Sequence, residues 1–170
     1  MLKQPQSGSS DDNLTRKPGG FSLVEMVVVV LVMGIISSVA AVKMFEVSTD
    51  AKVNAMATTF ADFVRAAELR KQIEGGYFKD SPTGTLPPEL AAFIRPEQWE
   101  AVTPINGKWD VEKNTFAIKR ALGIHFIAGS GPMPDSSILQ QIDAVIDDGN
   151  ISTGSLRLLD TDRFYYVLHE

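Results

Sequence analysis

The feature that most constrains this chain is an apolar tract that begins at Phe21. Phe21-Ser22-Leu23-Val24-Glu25-Met26 leads into Val27-Val28-Val29-Val30-Leu31-Val32-Met33-Gly34-Ile35-Ile36, and the tract runs on through Ser37 and Ser38 to Val42. Glu25 is its one charged residue. As a helix the tract is about 33 Å long, enough to cross the hydrocarbon core of a bilayer. A surface of that kind must end up in lipid or against other apolar surface.

The flanks narrow the reading. Residues 1–20 are polar and rich in Gly, Ser, Pro and Gln, a composition expected to be disordered. Three accounts of residues 1–42 compete: a plain transmembrane anchor, a secretory signal peptide with Ser38-Val39-Ala40 before a cut at Ala41, and a leader cut after Gly20. A secretory apolar region is typically about 7–15 residues, and this one is longer. It also holds Glu25, which costs on the order of a few kcal/mol inside a membrane helix and so calls for a partner. Cleavage after Gly20 supplies one, because it creates an α-amine on Phe21, four residues before Glu25. The positive end of the helix dipole adds a modest favourable term for the carboxylate. Two such helices packed with an axial offset could pair the Glu25 of one with the Phe21 amine of the other, neutralising two charges that are each costly in an apolar setting.

Gly19-Gly20-Phe21-Ser22-Leu23-Val24-Glu25-Met26 followed by an uncharged run resembles the cleavage and methylation segment of type IV pilins and type II secretion pseudopilins. The resemblance covers roughly residues 17–45, with Arg16 and Lys17 as the basic flank. It implies that a prepilin peptidase cuts after Gly20 and N-methylates Phe21, and that Glu25 guides assembly. It further implies a single-pass protein of a bacterial inner membrane, with the N-terminus cytoplasmic and the head periplasmic or extracellular. The implied partners are copies of the chain, other pilin-like subunits and an inner-membrane assembly platform. Arg16 and Lys17 favour the same orientation, although Lys43 on the far side leaves the charge asymmetry small.

Beyond Val42 the apolar residues become periodic. Phe45, Val53, Met56, Phe60, Val64 and Ala67 return to one helical face with Phe63 beside it, while Lys52, Asp62, Arg65, Glu68, Arg70 and Lys71 fall largely off it. No proline occurs between Pro18 and Pro82, and Gly75-Gly76 marks a stop. The chain is therefore expected to hold a leader at 1–20, one helix over 21–74 (an apolar half at 21–42, an amphipathic half at 43–74) and a head at 75–170. Within the head the pattern predicts a short helix over about 88–93. A hairpin follows, with strands at 109–112 and 115–118 about a turn at Lys113-Asn114, its second strand continuing through 122–128 with a bulge at Gly123. Asp135 or Ser136 then caps a helix whose apolar face is Ile138, Leu139, Ile142, Val145 and Ile146, ended by Gly149. A second hairpin, 155–159 and 163–168, turns at 160–162. The expected class is α+β, a mainly antiparallel sheet laid on the long helix, which agrees with the ladle-shaped subunit the resemblance implies.

The chemistry expected of the head is sparse. The chain has no cysteine, which excludes disulfides, thiolate metal sites and a cysteine nucleophile. Its two histidines are His125, in an apolar strand-like run and read as structural, and His169. No nucleophile elbow, zinc-binding His pair or phosphate loop is present, so no enzymatic activity is expected. With a net charge of −5 and Lys119-Arg120 the one adjacent basic pair in the head, no nucleic-acid partner is expected either. One acidic constellation remains. Asp143, Asp147 and Asp148 crowd the end of the third predicted helix, where the dipole disfavours them. Asn150 and Ser152 follow, and Asp160 and Asp162 lie on the later turn. Asp147, Asp148, Asn150, Asp160 and Asp162 are the candidate calcium ligands, being hard oxygen donors without EF-hand spacing. The resemblance points the same way, since major pseudopilins carry calcium in this part of the head. No other cofactor is expected. The expected function is a structural subunit of a type IV pilus-like or type II secretion pseudopilus filament. Its rival is a membrane-anchored extracytoplasmic binding module that does not polymerise.

Overall fold

The computed structural model describes residues 20–170, apart from the side chains of Val42, Phe45 and Glu46. The expected leader up to residue 19, with Arg16 and Lys17, lies outside the described residues. The chain divides into two compact units, Met1–Val42 and Lys43–Glu170.

Helix α1 spans Leu23–Glu74. It starts two residues later than the apolar pattern suggests, because Ser22 caps it. In the first unit Leu23–Ala41 is nineteen residues of mean hydropathy 2.6 with none of its surface buried, long and apolar enough to cross a membrane. The Ser38 hydroxyl in this stretch is satisfied internally, donating to the Ile35 carbonyl at 2.7 Å.

In the second unit α1 ends where the double glycine predicts. Gly75 adopts φ +75°, and its N–H bonds the Lys71 carbonyl at 2.9 Å. That left-handed closing residue is one glycine adopts without penalty. Arg70 seals the end by donating to the carbonyls of Gly76 and Tyr77 and pairing with Glu74 at 2.9 Å. Val53, Met56, Ala57, Phe60, Phe63 and Ala67 are buried along one stripe of α1, with Val64 at its half-buried margin.

The rest of the second unit is α2 (Pro96–Glu100), β1 (Lys108–Thr115), β2 (Ile118–His125), α3 (Ser136–Ile146), β3 (Leu156–Asp160) and β4 (Arg163–His169). The strands form one antiparallel sheet in the order β1-β2-β4-β3. This is the α+β, pilin-like layout. Alternation along each strand sends Trp109, Val111, Leu122, Ile124, Leu156 and Phe164 into the core shared with the α1 stripe. Phe60 meets Trp109 edge-on at 4.9 Å and Phe164 at 5.9 Å, and Phe63 stacks on Trp99 at 5.5 Å. The other sheet face carries Asp110, Glu112, Ala121, Tyr165 and Val167.

Several local expectations are corrected. The segment from Pro88 is a single 3-10 turn, Pro88–Leu90, and the helix that follows it is α2. The first hairpin turns at Phe116-Ala117, with left-handed φ at both and at Asn114, so β1 extends through the residues expected to turn. β2 stops at His125, and its irregularity lies at Arg120/Ala121, where its pairing with β4 shifts register. Gly123 is instead in register between Asp110 and Tyr165, where the strands pass so closely that a Cβ would sit 2.3 Å from the Phe164 carbonyl oxygen and 2.6 Å from the Tyr165 ring. On α3 the buried stripe is Leu139, Ile142 and Asp143, whereas Val145 is 60% exposed.

Candidate functional site

Two regions carry the residues singled out by the sequence. The first is the start of α1. Gly20, Phe21 and Ser22 are exposed and lie outside the helix. The Glu25 N–H donates to the Ser22 hydroxyl at 3.2 Å, and the Ser22 N–H donates back to Glu25 Oε2 at 3.4 Å. This reciprocal pair is a capping box, which satisfies two of the N–H groups that a helix start leaves without partners. The Ser22-x-x-Glu25 spacing before an apolar run is its signature, a local pattern that makes the role of Ser22 legible in the sequence even though the reading of Glu25 alone passes over it. Glu25 thus sits in the first turn, where the helix dipole favours a carboxylate. From Leu23 to Ala41 the side chains face outward on every side of the helix.

Residues 15–41 match the prokaryotic N-terminal methylation motif. This is the prepilin-type cleavage and methylation segment of type IV pilins and pseudopilins. The motif marks a type IV pilin-like or pseudopilin precursor, a structural class of protein whose processing involves a prepilin peptidase and whose assembly involves other pilin subunits. Together with the apolar helix at its core, it fits membrane anchoring. No curated protein and no solved structure matches the chain. Within the motif, the apolar residues supply length and the capping box fixes where the helix begins.

The second region is the loop after α3. Asp143, Asp147 and Asp148 each offer a carboxylate oxygen, and the three oxygens lie within 4.8 Å of one another. Asp143 is fully buried, and neither of its oxygens has a hydrogen bond of normal geometry. Burial first, then the charges of Asp148 and Asp147, push its pKa up to about 6, against a smaller opposing pull from the Gly149 N–H. Asp147 is held by the backbone N–H groups of Ser155 and Leu156. Asp148 Oδ1 accepts the Asn150 N–H and its Oδ2 the Thr153 hydroxyl, each at 2.8 Å. Those bonds, the Asn150 N–H foremost, hold the Asp148 pKa below the usual carboxylate value. Asn150 Oδ1 in turn accepts the Ser152 N–H at 3.1 Å.

The structure brings Asp147, Asp148 and Asn150 together and adds Asp143, but it places Asp160 and Asp162 elsewhere. Asp160 accepts the N–H of Thr161 at 2.7 Å. Asp162 bonds His125 Nε2 at 3.2 Å, at the end of β3 remote from Leu156, which Asp147 holds. The extended strand separates the two groups. The donors that do meet are all oxygens, and a buried carboxylate without a hydrogen-bond donor of normal geometry among them fits a hard divalent cation.

His125 lies in a structural network. Its Nδ1 is 3.0 Å from Thr83 Oγ1 and 3.5 Å from Asp110 Oδ2. Tyr165 donates to the same Asp110 oxygen at 2.7 Å, and Arg163 pairs with Glu112 and Asp110. Burial raises the pKa values of both Asp110 and Tyr165. Lys119 and Arg120 each donate to local carbonyls, of Glu170 and Lys119 respectively.

Proposed function

We propose that the chain is a structural subunit of a type IV pilus-like or type II secretion pseudopilus filament. In this reading a prepilin peptidase cuts between Gly20 and Phe21 and methylates the new amine. The segment from Phe21 to Val42 then leaves lipid for a bundle of like segments, with the leader on the cytoplasmic side of an inner membrane and the head outside. Glu25 of one subunit pairs with the Phe21 amine of a neighbour, so that neither charge is left alone in the apolar bundle. The observation that carries the proposal is a wholly exposed apolar helix, Leu23–Ala41, opened by Glu25 within the methylation motif. An anchor alone requires the apolar length; it does not require a carboxylate in the first turn.

The test is the mature N-terminus, read by mass spectrometry of protein from cells that contain a prepilin peptidase. A chain that starts at an N-methylated Phe21 supports the proposal. A chain that starts at Ala41 identifies a secreted domain, and an intact Met1 identifies a plain anchor or the non-polymerising binding module; either result discards polymerisation.

The unpartnered Asp143 carboxylate favours a second reading, that the loop after α3 holds calcium through Asp143, Asp147 and Asp148, with Asn150 beside them. The cation would neutralise three crowded carboxylates and tie the end of α3 to the start of β3. Titration of the full chain in detergent should give heat and a higher melting temperature at millimolar calcium. Absence of both sinks the calcium reading.

A further inference from the structure

The capping box stands beside the bond that processing would cut. Continuing α1 backwards by one residue would give the Glu25 N–H to the Phe21 carbonyl, its partner four residues earlier. The Ser22 hydroxyl takes that N–H instead. The next bond of the ladder, from the Met26 N–H to the Ser22 carbonyl at 3.2 Å, is already made. Ser22 Oγ and the Phe21 carbonyl therefore compete for one donor, and the winner decides whether α1 starts after Ser22, with the Phe21 carbonyl free, or takes in Ser22 and uses the Phe21 carbonyl as its first acceptor. The drive to extend is strong at this end. The helix spans 52 residues, propagation adds a hydrogen bond for each residue joined, and an N–H left unpaired at the edge of a membrane is costly.

We propose that Ser22 is a positioning residue for processing: by capping α1 it leaves Gly20 and Phe21 ahead of the helix, with the Phe21 carbonyl free for a peptidase to bind. Binding clefts for extended peptides use the backbone N–H and C=O groups, which a helix would occupy internally. The Glu25 carboxylate completes the box by holding the Ser22 N–H, so one side chain serves the start of the helix before assembly and is on hand for a neighbour afterwards. This inference rests on the reading that the chain is cut between Gly20 and Phe21.

The experiment follows conversion of full-length precursor to mature chain by mass spectrometry, in membranes from cells producing a prepilin peptidase. It compares wild type with Ser22→Ala and Ser22→Asn, with equal membrane insertion checked by fractionation. Alanine removes the cap and favours the helix; asparagine caps as well as serine but has no hydroxyl. The expected result is an initial rate about five-fold lower for Ser22→Ala, the rate equivalent of the roughly 1 kcal/mol typical of a lost cap, and a rate within about two-fold of wild type for Ser22→Asn. Wild-type cleavage of Ser22→Ala overturns the inference. Equal slowing of both variants also overturns it, since it assigns the hydroxyl to contact with the peptidase. A wild-type chain left uncut at Gly20–Phe21 instead removes the processing reading itself.

Discussion

Asp143→Asn isolates a carboxylate that the head buries with little compensation. Its pKa is raised from 3.8 to about 6, so the folded state binds the proton more tightly than the unfolded chain does. For an acid shifted upward, the penalty is absent below the unfolded pKa, grows as pH rises towards 6, and is complete above it. At 1.36 kcal/mol per unit the shift corresponds to about 3 kcal/mol, a ceiling because Asp147 and Asp148 are exposed and their repulsion is screened. Asparagine keeps the shape, carries no charge, and offers an N–H to the Asp148 carboxylate. In EDTA at pH 7 the variant should therefore unfold at higher denaturant, by up to about 3 kcal/mol, and the gap should close between pH 6 and pH 4. Millimolar calcium should reverse the order, stabilising wild type and leaving the variant little changed. Urea unfolding of both proteins at several pH values, with and without calcium, reads all three effects. A variant less stable than wild type at pH 7 in EDTA, or a gap that ignores pH, would refute the account of Asp143.

Other substitutions probe the remaining links. Glu25→Ala should abolish filament assembly while membrane insertion and the head's unfolding midpoint stay at wild-type values; filaments at normal abundance would remove the proposed charge pairing. Phe60→Ala deletes the ring that touches Trp109 and Phe164, and should cost about 3–5 kcal/mol in denaturant unfolding. Tyr165→Phe takes a donor from buried Asp110 and should cost about 1–3 kcal/mol at pH 7. Because that hydrogen bond favours the charged carboxylate, the cost should shrink in acid as Asp110 protonates, a trend visible in the same pH series.

What the sequence reveals, and what it withholds, follows from the range of each interaction. The apolar tract, the stripe from Val53 to Ala67 and the stop at Gly75-Gly76 are local, so α1 is readable to within two residues. The second hairpin is readable for the same reason, its turn being marked by Asp160-Thr161-Asp162. The first hairpin is misplaced because the residues that turn, Phe116 and Ala117, are not ones that ordinarily adopt left-handed backbone. α2 is too short for periodicity to mark. At the acidic loop, closeness in sequence misleads. Asp160 is five residues from Ser155, but a strand advances about 3.3 Å per residue, so it is carried well away from Asp147. Asp162 bonds His125, 37 residues away, and no local pattern announces that pairing. The burial of Asp143 emerges only once the stripe of α3 is seen to run through Leu139, Ile142 and Asp143, leaving Val145 outside.

The strand order has a consequence in time. β4 follows the other three strands in sequence yet lies between β2 and β3, which are neighbours of β4 and not of each other. A chain emerging from the ribosome can close the β1–β2 hairpin early, but β3 then waits with no strand to join. The seven residues Arg163–His169 must arrive before the two halves become one sheet. The sheet is thus closed by β4, and a chain interrupted after β3 and before residue 163 leaves open the edges of β2 and β3 that β4 joins in the complete sheet. For a protein whose helix α1 holds a stretch fit to enter a membrane, that order leaves the head open to threading until β4 has been made.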